Sequence, residues 1–200
     1  MTDLTLVLGG ARSGKSRYAE SLAAQFGPRV LYLATAEQRD PEMTERVRQH
    51  QARRPASWRT VEAPLSPLAM LRAEQGNCDA VLIDCLSLWV SNLLLSRWPD
   101  QNSVGLEEVN ALEATLLEEV DRLIVWAEAA PVPVVMVSNE VGLGVVPPYP
   151  LGRHYRDLLG RANQRVASAA ARVYWMVAGL GLELKALGAV PFPRQVGIDE

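Results

Sequence analysis

Short apolar runs alternate along the chain with segments in which apolar residues recur at helical spacing. The runs are short enough for β-strands, and most are continuously apolar, which is typical of strands that are covered on both faces. They occupy residues 4–8, 30–35, 80–84, 132–137 and 173–177, with a weaker run over 58–62. This alternation predicts an α/β fold with a mostly parallel sheet and helices on both of its faces.

Proline and glycine residues mark the ends of the predicted helices. A first helix, with an apolar face over residues 19–26, ends at Gly27. A second is predicted over residues 40–54, because Pro41 suits the first helical turn and Pro55 follows the last. Further helices are predicted to begin at Pro67 and to lie over residues 86–98, along a stripe at 112–124, and over about 151–172.

Composition narrows the class of protein. The chain has 200 residues, of which 48% are hydrophobic, and we predict one domain over residues 1–188 followed by a C-terminal tail over 189–200. The net charge of −3 gives no reason to expect a nucleic-acid partner. Because no apolar run reaches the roughly 18 residues of a membrane span, we expect a soluble, cytoplasmic protein. Cys78 and Cys85 match no zinc spacing, so we interpret them as reduced thiols.

The segment after the first predicted strand carries the clearest chemistry. It fits the pattern G-x-x-x-x-G-K-[ST] between a strand and a helix, the setting in which this pattern forms a phosphate-binding loop, or P-loop. Its residues are Gly9, Gly10, Ala11, Arg12, Ser13, Gly14, Lys15 and Ser16. The glycines let backbone N–H groups turn toward an anion. We expect Lys15 to reach the outer phosphates of a nucleotide and to be catalytic, and Ser16 to ligate Mg²⁺.

A carboxylate ligand for the same Mg²⁺ ion is predicted at Asp84. This residue ends the apolar run AVLID, and the C-terminal ends of parallel strands face the nucleotide crevice in folds of this type. The alternative is that Asp84 only terminates the strand or caps the next helix. We interpret Asp84 as a metal ligand.

A second candidate site lies on the helix predicted over residues 40–54. At helical spacing, Arg46, His50 and either Arg53 or Arg54 share one face, and this combination suits a phosphate group. The neighbouring guanidinium groups disfavour a protonated imidazole, and the neutral form is the nucleophilic one. The alternative is that His50 simply flanks the core.

Several segments, taken together, resemble one enzyme family. In chain order they are GGARSGKSRYAE, LYLATA, RVRQHQARRPASWRTVE, VLIDCLSLWVSNLL, VVMVSNEVGLGVVP and GRHYRDLLGRANQRVA. On these segments, which span roughly residues 4–185, the chain resembles the bifunctional adenosylcobinamide kinase/adenosylcobinamide-phosphate guanylyltransferases of cobalamin biosynthesis. Each segment beyond the P-loop is weak by itself, but their collinear order is specific.

The resemblance implies a P-loop NTPase of the RecA-like type that acts as a homotrimer. It implies phosphorylation of adenosylcobinamide with ATP or GTP, followed by transfer of GMP from GTP through a guanylylated histidine at His50. The products of the transfer would be adenosylcobinamide-GDP and pyrophosphate. The nucleotide contacts implied beyond the P-loop are Ala34, Thr35, Ala36, Gln51, Ala52, Arg53, Arg54, Glu62 and Asp84. Gln51 stands where a basic residue is common in the family.

Other classes of protein share parts of this pattern. A GTP-dependent switch would have the P-loop, but Asn139 is followed by Glu140, so an N-K-x-D guanine-binding motif is missing there. A RecA-like DNA motor would share the fold, but the acidic balance disfavours a large DNA-binding face. A small-molecule kinase without a transferase activity would have no use for His50, and this is the alternative nearest to our interpretation.

A few features leave two interpretations open. Residues 139–144 suit an active-site loop or a plain connector, since two glycines permit a tight turn. His154 lies among arginines, which suits either an anionic substrate or the exposed start of a helix. Trp89 and Trp98 are interpreted as packing or subunit contacts rather than as a stacking platform.

Overall fold

The computed structural model describes residues 3–37, 54–98 and 106–191. The helix predicted over residues 40–54 therefore lies outside the described residues, except for Arg54 at its end. Residues 192–200 of the predicted tail lie outside them too, so the division into a domain and a tail stays a prediction.

The described strands form a seven-stranded sheet in the order β3-β2-β4-β5-β1-β6-β7. Neighbouring strands are parallel except for β6 and β7, which are antiparallel. The strands are β1 (Leu4–Gly9), β2 (Val30–Ala34), β3 (Arg59–Glu62), β4 (Ala80–Asp84), β5 (Val134–Asn139), β6 (Arg172–Val177) and β7 (Leu180–Glu183). The predicted mostly parallel sheet is confirmed.

Helices cover both faces of the sheet, as predicted, but unequally. The described α-helices are α1 (Lys15–Ala24), α2 (Pro67–Glu74), α3 (Leu86–Arg97), α4 (Leu106–Ala129) and α5 (Pro150–Ala169). One face packs against α2, α3, α4 and α5 in the larger core cluster. The other face packs against α1 through Ala19 and Ala23. Among the described helices, none combines the length and the apolar character needed to cross a membrane.

Two predicted boundaries were wrong, because strand pairing decides them. The last helix was predicted to reach residue 172, but it ends at Ala169, and Arg172 begins β6 opposite Thr5 of β1. The fifth strand begins at Val134 rather than at residue 132 and continues to Asn139, which pairs with Gly9. Pro133 lacks an N–H group for the ladder, and the pairing with β1 carries β5 further than its apolar run.

Strand β7 was not predicted. Its sequence, LGLE, is short and contains a glycine, and Leu180 and Leu182 are largely exposed, so it has no strong strand pattern. It pairs with β6 in register from Val177–Leu180 to Tyr174–Glu183. The pairing partner, rather than local preference, makes this segment a strand.

The strand register brings the predicted polar residues to one edge of the sheet. Ala34, at the end of β2, pairs with Glu62 of β3 on one side and with Asp84 of β4 on the other. Strand β5 lies between β4 and β1, and β1 leads into the P-loop. The C-terminal ends of these parallel strands therefore form one edge, as expected for a nucleotide crevice.

Candidate nucleotide site

The P-loop connects the end of β1 to the start of α1 and needs glycine at two positions. A Cβ atom added to Gly9 would lie 2.5 Å from Ser13 Oγ and 2.7 Å from the carbonyl oxygen of Met176. Gly14 has φ of 93° and precedes the first residue of α1, Lys15. Glycine adopts this backbone conformation without steric cost, so the loop can curl directly into the helix N-terminus.

Three features of the loop suit an anion. Lys15 Nζ donates a hydrogen bond to the carbonyl oxygen of Gly10 at 3.1 Å, which places the ammonium group across the loop. The hydroxyl oxygen of Ser13 is buried and has no hydrogen-bond partner among the described residues. A Cβ atom on Gly10 would meet no heavy atom within 4 Å, so open space lies beside the backbone there. These donors at a helix N-terminus fit a phosphate group.

Asp84 stands at the end of β4 and is hydrogen-bonded to a buried tyrosine. The hydroxyl group of Tyr32 donates to Asp84 Oδ2 at 2.7 Å. Burial, and then the charge of Asp84, raise the pKa of Tyr32 well above its ordinary value, so this phenol remains a donor. The contact fixes one carboxylate oxygen of Asp84.

Arg54 extends the same chain of contacts. Its guanidinium carbon lies 3.3 Å from the centroid of the Tyr32 ring, a close cation–π contact. Its Nη1 donates to Thr60 Oγ1 at 3.2 Å, while its Nε is buried and has no hydrogen-bond partner among the described residues. Arg54, Tyr32 and Asp84 thus form a connected set that runs from the middle of β2 to the C-terminal end of β4. The sequence predicted two of its members and missed Tyr32, for which it gave no signal.

The polar groups of Thr35 form hydrogen bonds within the protein. Its side chain is fully buried, and its hydroxyl accepts a hydrogen bond from the backbone N–H of Cys85 and donates one to the carbonyl of that residue, each at 2.7 Å. The backbone N–H of Thr35 donates to the carbonyl of Asp84 at 3.1 Å, and its own carbonyl accepts from Asn92 Nδ2 at 2.8 Å. Thr35 therefore holds the junction after Asp84. A direct contact between Thr35 and a nucleotide stays a prediction, as does the contact predicted for Ala36.

Cys85 is a protonated structural thiol. Burial, followed by the charge of Asp84, raises its pKa to about 11, and its Sγ lies 2.9 Å from Ser87 Oγ. A thiol with a raised pKa is a poor nucleophile at neutral pH. Neither Cys78 nor Cys85 is in a disulfide bond, which matches the interpretation of both cysteines as reduced thiols.

Comparison with known proteins decides the family. Residues 5–184 match the family described as "Cobinamide kinase / cobinamide phosphate guanyltransferase". The chain belongs to this family. Its fold is accordingly that of a P-loop NTPase, as predicted.

Three curated relatives of the family cover nearly the same length. The "Bifunctional adenosylcobalamin biosynthesis protein CobU" of Salmonella typhimurium is 42% identical over 182 residues, 91% of this chain and 99% of the relative. The protein CobP of the same description from Pseudomonas aeruginosa is 47% identical, over 90% of this chain and 96% of the relative. CobU of Escherichia coli is 40% identical over 91% and 99% of the two chains.

Some of the site residues predicted for this cobinamide kinase/guanyltransferase chain lie outside the described residues. They are His50, Gln51, Ala52 and Arg53. The described part of the predicted set is brought to one edge of the sheet: the P-loop follows β1, Ala34 ends β2, Glu62 ends β3 and Asp84 ends β4.

The features that the sequence left open have distinct roles. The loop after β5 is attached to the P-loop, since the N–H of Glu140 donates to the carbonyl of Gly9 at 3.1 Å. His154 Nδ1 lies 2.9 Å from Glu113 Oε1, and the ring centroids of His154 and Trp98 are 5.4 Å apart. Trp89 is buried in the larger core. These tryptophans have the predicted packing role, and His154 is a partner of Glu113.

The donor groups at the site fit Mg²⁺. Among the described residues, no group of three or more histidine, cysteine, aspartate or glutamate side chains is arranged to hold a metal ion. Mg²⁺ is usually held by one or two carboxylates together with waters and nucleotide phosphates. The carboxylate of Asp84 and the hydroxyl of Ser16 would supply oxygen ligands of the type that such a site needs.

Proposed function

We propose that this chain catalyses both reactions of its family. It phosphorylates the hydroxyl of adenosylcobinamide with ATP or GTP, and it then transfers GMP from GTP to adenosylcobinamide phosphate. The products of the transfer are adenosylcobinamide-GDP and pyrophosphate. The observation that carries this proposal is the family match over residues 5–184, with an intact P-loop at the edge where Ala34, Glu62 and Asp84 align.

In the transfer, His50 is the nucleophile. Its imidazole nitrogen forms a bond to the α-phosphorus of GTP while the bond to the bridging oxygen breaks and pyrophosphate leaves. A phosphate oxygen of adenosylcobinamide phosphate then attacks the same phosphorus, and the nitrogen–phosphorus bond breaks. Two displacements at one phosphorus give overall retention of configuration. His50 has this role by resemblance. The contact of Arg54, four residues later, with Tyr32, which is hydrogen-bonded to Asp84, is consistent with it.

In the kinase reaction, the hydroxyl oxygen of adenosylcobinamide forms a bond to the γ-phosphorus while the bond from that phosphorus to the β,γ-bridging oxygen breaks. The nucleoside diphosphate leaves, and the proton of the hydroxyl passes to solvent. Lys15 and the backbone N–H groups of the P-loop hold the phosphates and offset their negative charge. Mg²⁺, held by Ser16 and Asp84, would neutralise charge on the phosphate oxygens when bound. The remaining proposed nucleotide contacts are Gly9, Gly10, Ala11, Arg12, Ser13, Gly14, Ala34, Thr35, Ala36, Gln51, Ala52, Arg53, Arg54 and Glu62.

The covalent intermediate provides the test. The sequence has two histidines, so His50→Ala and His154→Gln form a matched pair. Wild-type protein and the His154→Gln variant are incubated with Mg²⁺ and GTP labelled at the α-phosphate, and both should retain label in an acid-labile bond. The His50→Ala variant should take up no label and form no adenosylcobinamide-GDP, but should still phosphorylate adenosylcobinamide.

Label retained by His50→Ala would rule out this nucleophile. Loss of the kinase activity together with the transferase activity in His50→Ala, with nucleotide binding intact, would contradict two separable reactions. A wild-type protein that forms only the phosphorylated product would be a kinase without the transferase activity.

We also propose that the chain works in the cytoplasm as a homotrimer, as its family resemblance implies. Light scattering on a sizing column should give a mass three times the 21.9 kDa of one chain. A mass equal to one chain at micromolar concentration would contradict the trimer and leave the proposed reactions untouched.

A further inference from the structure

The hairpin of β6 and β7 ends in a tight turn that lies against the P-loop. Its two turn residues, Ala178 and Gly179, have φ of 51° and 82°. Positive φ at both positions is the geometry that joins two twisted antiparallel strands with two residues. The turn is therefore fixed by the hairpin, and its position depends on how β6 pairs with β1.

Backbone contacts join this turn to the P-loop. The N–H of Gly179 donates a hydrogen bond to the carbonyl oxygen of Ser13 at 3.0 Å. A Cβ atom on Gly14 would lie 3.4 Å from Gly179 Cα, so the two backbones lie close together. Strand β6 pairs with β1 up to the first residue of the loop, where Gly9 is opposite Met176. The hairpin thus supports the loop from the side of β6.

The hydrogen bond to Ser13 determines where the next N–H group points. A trans peptide is planar, and its C=O and N–H groups point in opposite directions. With the carbonyl of Ser13 held toward Gly179, the N–H of Gly14 points away from the hairpin. A carbonyl that rotated into the loop would present negative charge to a bound phosphate and turn this N–H outward.

We propose that Gly179 is a positioning residue for nucleotide binding, which holds the Ser13–Gly14 peptide in the orientation that presents the Gly14 N–H to phosphate. This inference rests on the proposed function, since it assigns the supporting part of the same phosphate site. Gly179 acts through the P-loop backbone and does not itself contact substrate.

The chain offers a close control for this residue. Gly188 has φ of 87°, against 82° at Gly179, and a Cβ atom at either position would meet no heavy atom within 4 Å. A β-branched residue is therefore strained equally by its backbone at both positions. The N–H of Gly188 donates within its own turn, to the carbonyl of Lys185, so only the variant at Gly179 disturbs the contact with Ser13.

The experiment measures the Kd of GDP, with Mg²⁺, by titration calorimetry for wild-type protein, Gly179→Val and Gly188→Val. Losing one hydrogen-bond donor to a charged phosphate corresponds to about tenfold weaker binding, which we expect for Gly179→Val. Gly188→Val should bind GDP like the wild type, although both variants lose thermal stability. Gly179→Asn should restore the affinity, because asparagine tolerates positive φ.

Equal GDP affinities of Gly179→Val and Gly188→Val would overturn the proposal, as would weak binding that Gly179→Asn does not restore. If Gly179→Val does not fold, the comparison is made between Gly179→Ala and Gly188→Ala, where the same difference is expected at smaller size. A wild-type protein that binds GDP but forms no product would contradict the proposed function and leave this inference standing.

Discussion

Strand β4 has an aspartate at each end, and the two carboxylates have different surroundings. Asp79, just before the strand, accepts hydrogen bonds from the backbone N–H of Arg29 at 2.9 Å and from Arg29 Nη2 at 2.5 Å. Asp84, the last residue of the strand, accepts from the hydroxyl of Tyr32 at 2.7 Å. Asp79 thus forms an ion pair with Arg29. Asp84 instead lies at the edge of the sheet that carries the P-loop.

The same contrast holds for the two edges of the sheet. At the N-terminal ends of the strands, charged residues pair with each other, as Asp3 and Arg172 also do at 2.8 Å. At the C-terminal ends lie the P-loop, after β1, and the proposed site residues Glu62 and Asp84, at the ends of β3 and β4. We infer that charges which stabilise the fold lie at the N-terminal edge, while the charges proposed to take part in the reactions lie at the C-terminal edge. Substitutions at the two edges should therefore have separable effects.

The largest effect is expected at Lys15, and Lys185, the other lysine of the sequence, serves as its control. Lys15→Ala should lower the rate of both reactions by about 100- to 1,000-fold, because the charge that offsets the phosphates is lost. Its thermal unfolding without nucleotide should change little. Lys185 Nζ donates to the carbonyls of Ser168 and Ala170, near the other edge, so Lys185→Ala should be less stable but active. Steady-state rates and melting curves of both variants check this, and a comparable loss of activity in Lys185→Ala would contradict separate roles for the two edges.

The second prediction compares the two ends of β4 directly. Asp84→Asn keeps an oxygen that can accept from Tyr32 but removes a negative charge from the Mg²⁺ site. We expect the rate of both reactions to fall by roughly 30-fold, about 2 kcal/mol of transition-state stabilisation, with little change in the urea unfolding midpoint. Asp79→Asn should show the reverse, a lower midpoint with unchanged rates. An inactive Asp79→Asn that is fully folded would show that the edges are not independent.

The smallest effect is expected on the stability of the protein at acid pH. Hydrogen bonds from the Arg29 side chain, followed by the one from its backbone, lower the pKa of Asp79 below its ordinary 3.8. Because the folded state favours the ionised carboxylate, the stabilisation is present above the unfolded pKa and is lost as the pH falls through the lower folded pKa. As the pH falls from about 5 to about 3, the urea unfolding midpoint should therefore fall further for wild-type protein than for Asp79→Asn. If the midpoints of the two proteins fell by the same amount over this range, the result would contradict a stabilising role of the Asp79–Arg29 pair.

Much of the fold could be predicted from the sequence, because the parallel strands are buried on both faces and are therefore apolar throughout. Strand β4 was predicted with its observed bounds, and α3 was predicted to within one residue. Strand β7 was missed because an exposed edge strand needs no apolar run and takes its structure from its partner. The Ala178-Gly179 dipeptide between two β-rich segments was the one local signal that could have found the hairpin.

Prediction of the site had a similar limit. The P-loop and Asp84 were predicted because their chemistry depends on a short local pattern. Tyr32 was missed, since an apolar-looking strand residue gives no sign that its hydroxyl reaches a carboxylate 52 positions away. For Thr35 the sequence did not indicate that its hydroxyl is buried and binds the backbone of Cys85, and the predicted contact of Thr35 with nucleotide stays a prediction.

The family, the mostly parallel α/β sheet and the phosphate loop could all be inferred from the sequence, because each depends on local order: apolar runs, glycine spacing and collinear motifs. Which strands are neighbours follows from the tertiary structure. The same is true of the alignment of Ala34, Glu62 and Asp84, the contact of Tyr32 with Asp84, and the hydrogen bond from Gly179 to Ser13. These depend on strand register and on backbone groups that every residue carries, so side-chain identity along the chain cannot encode them directly.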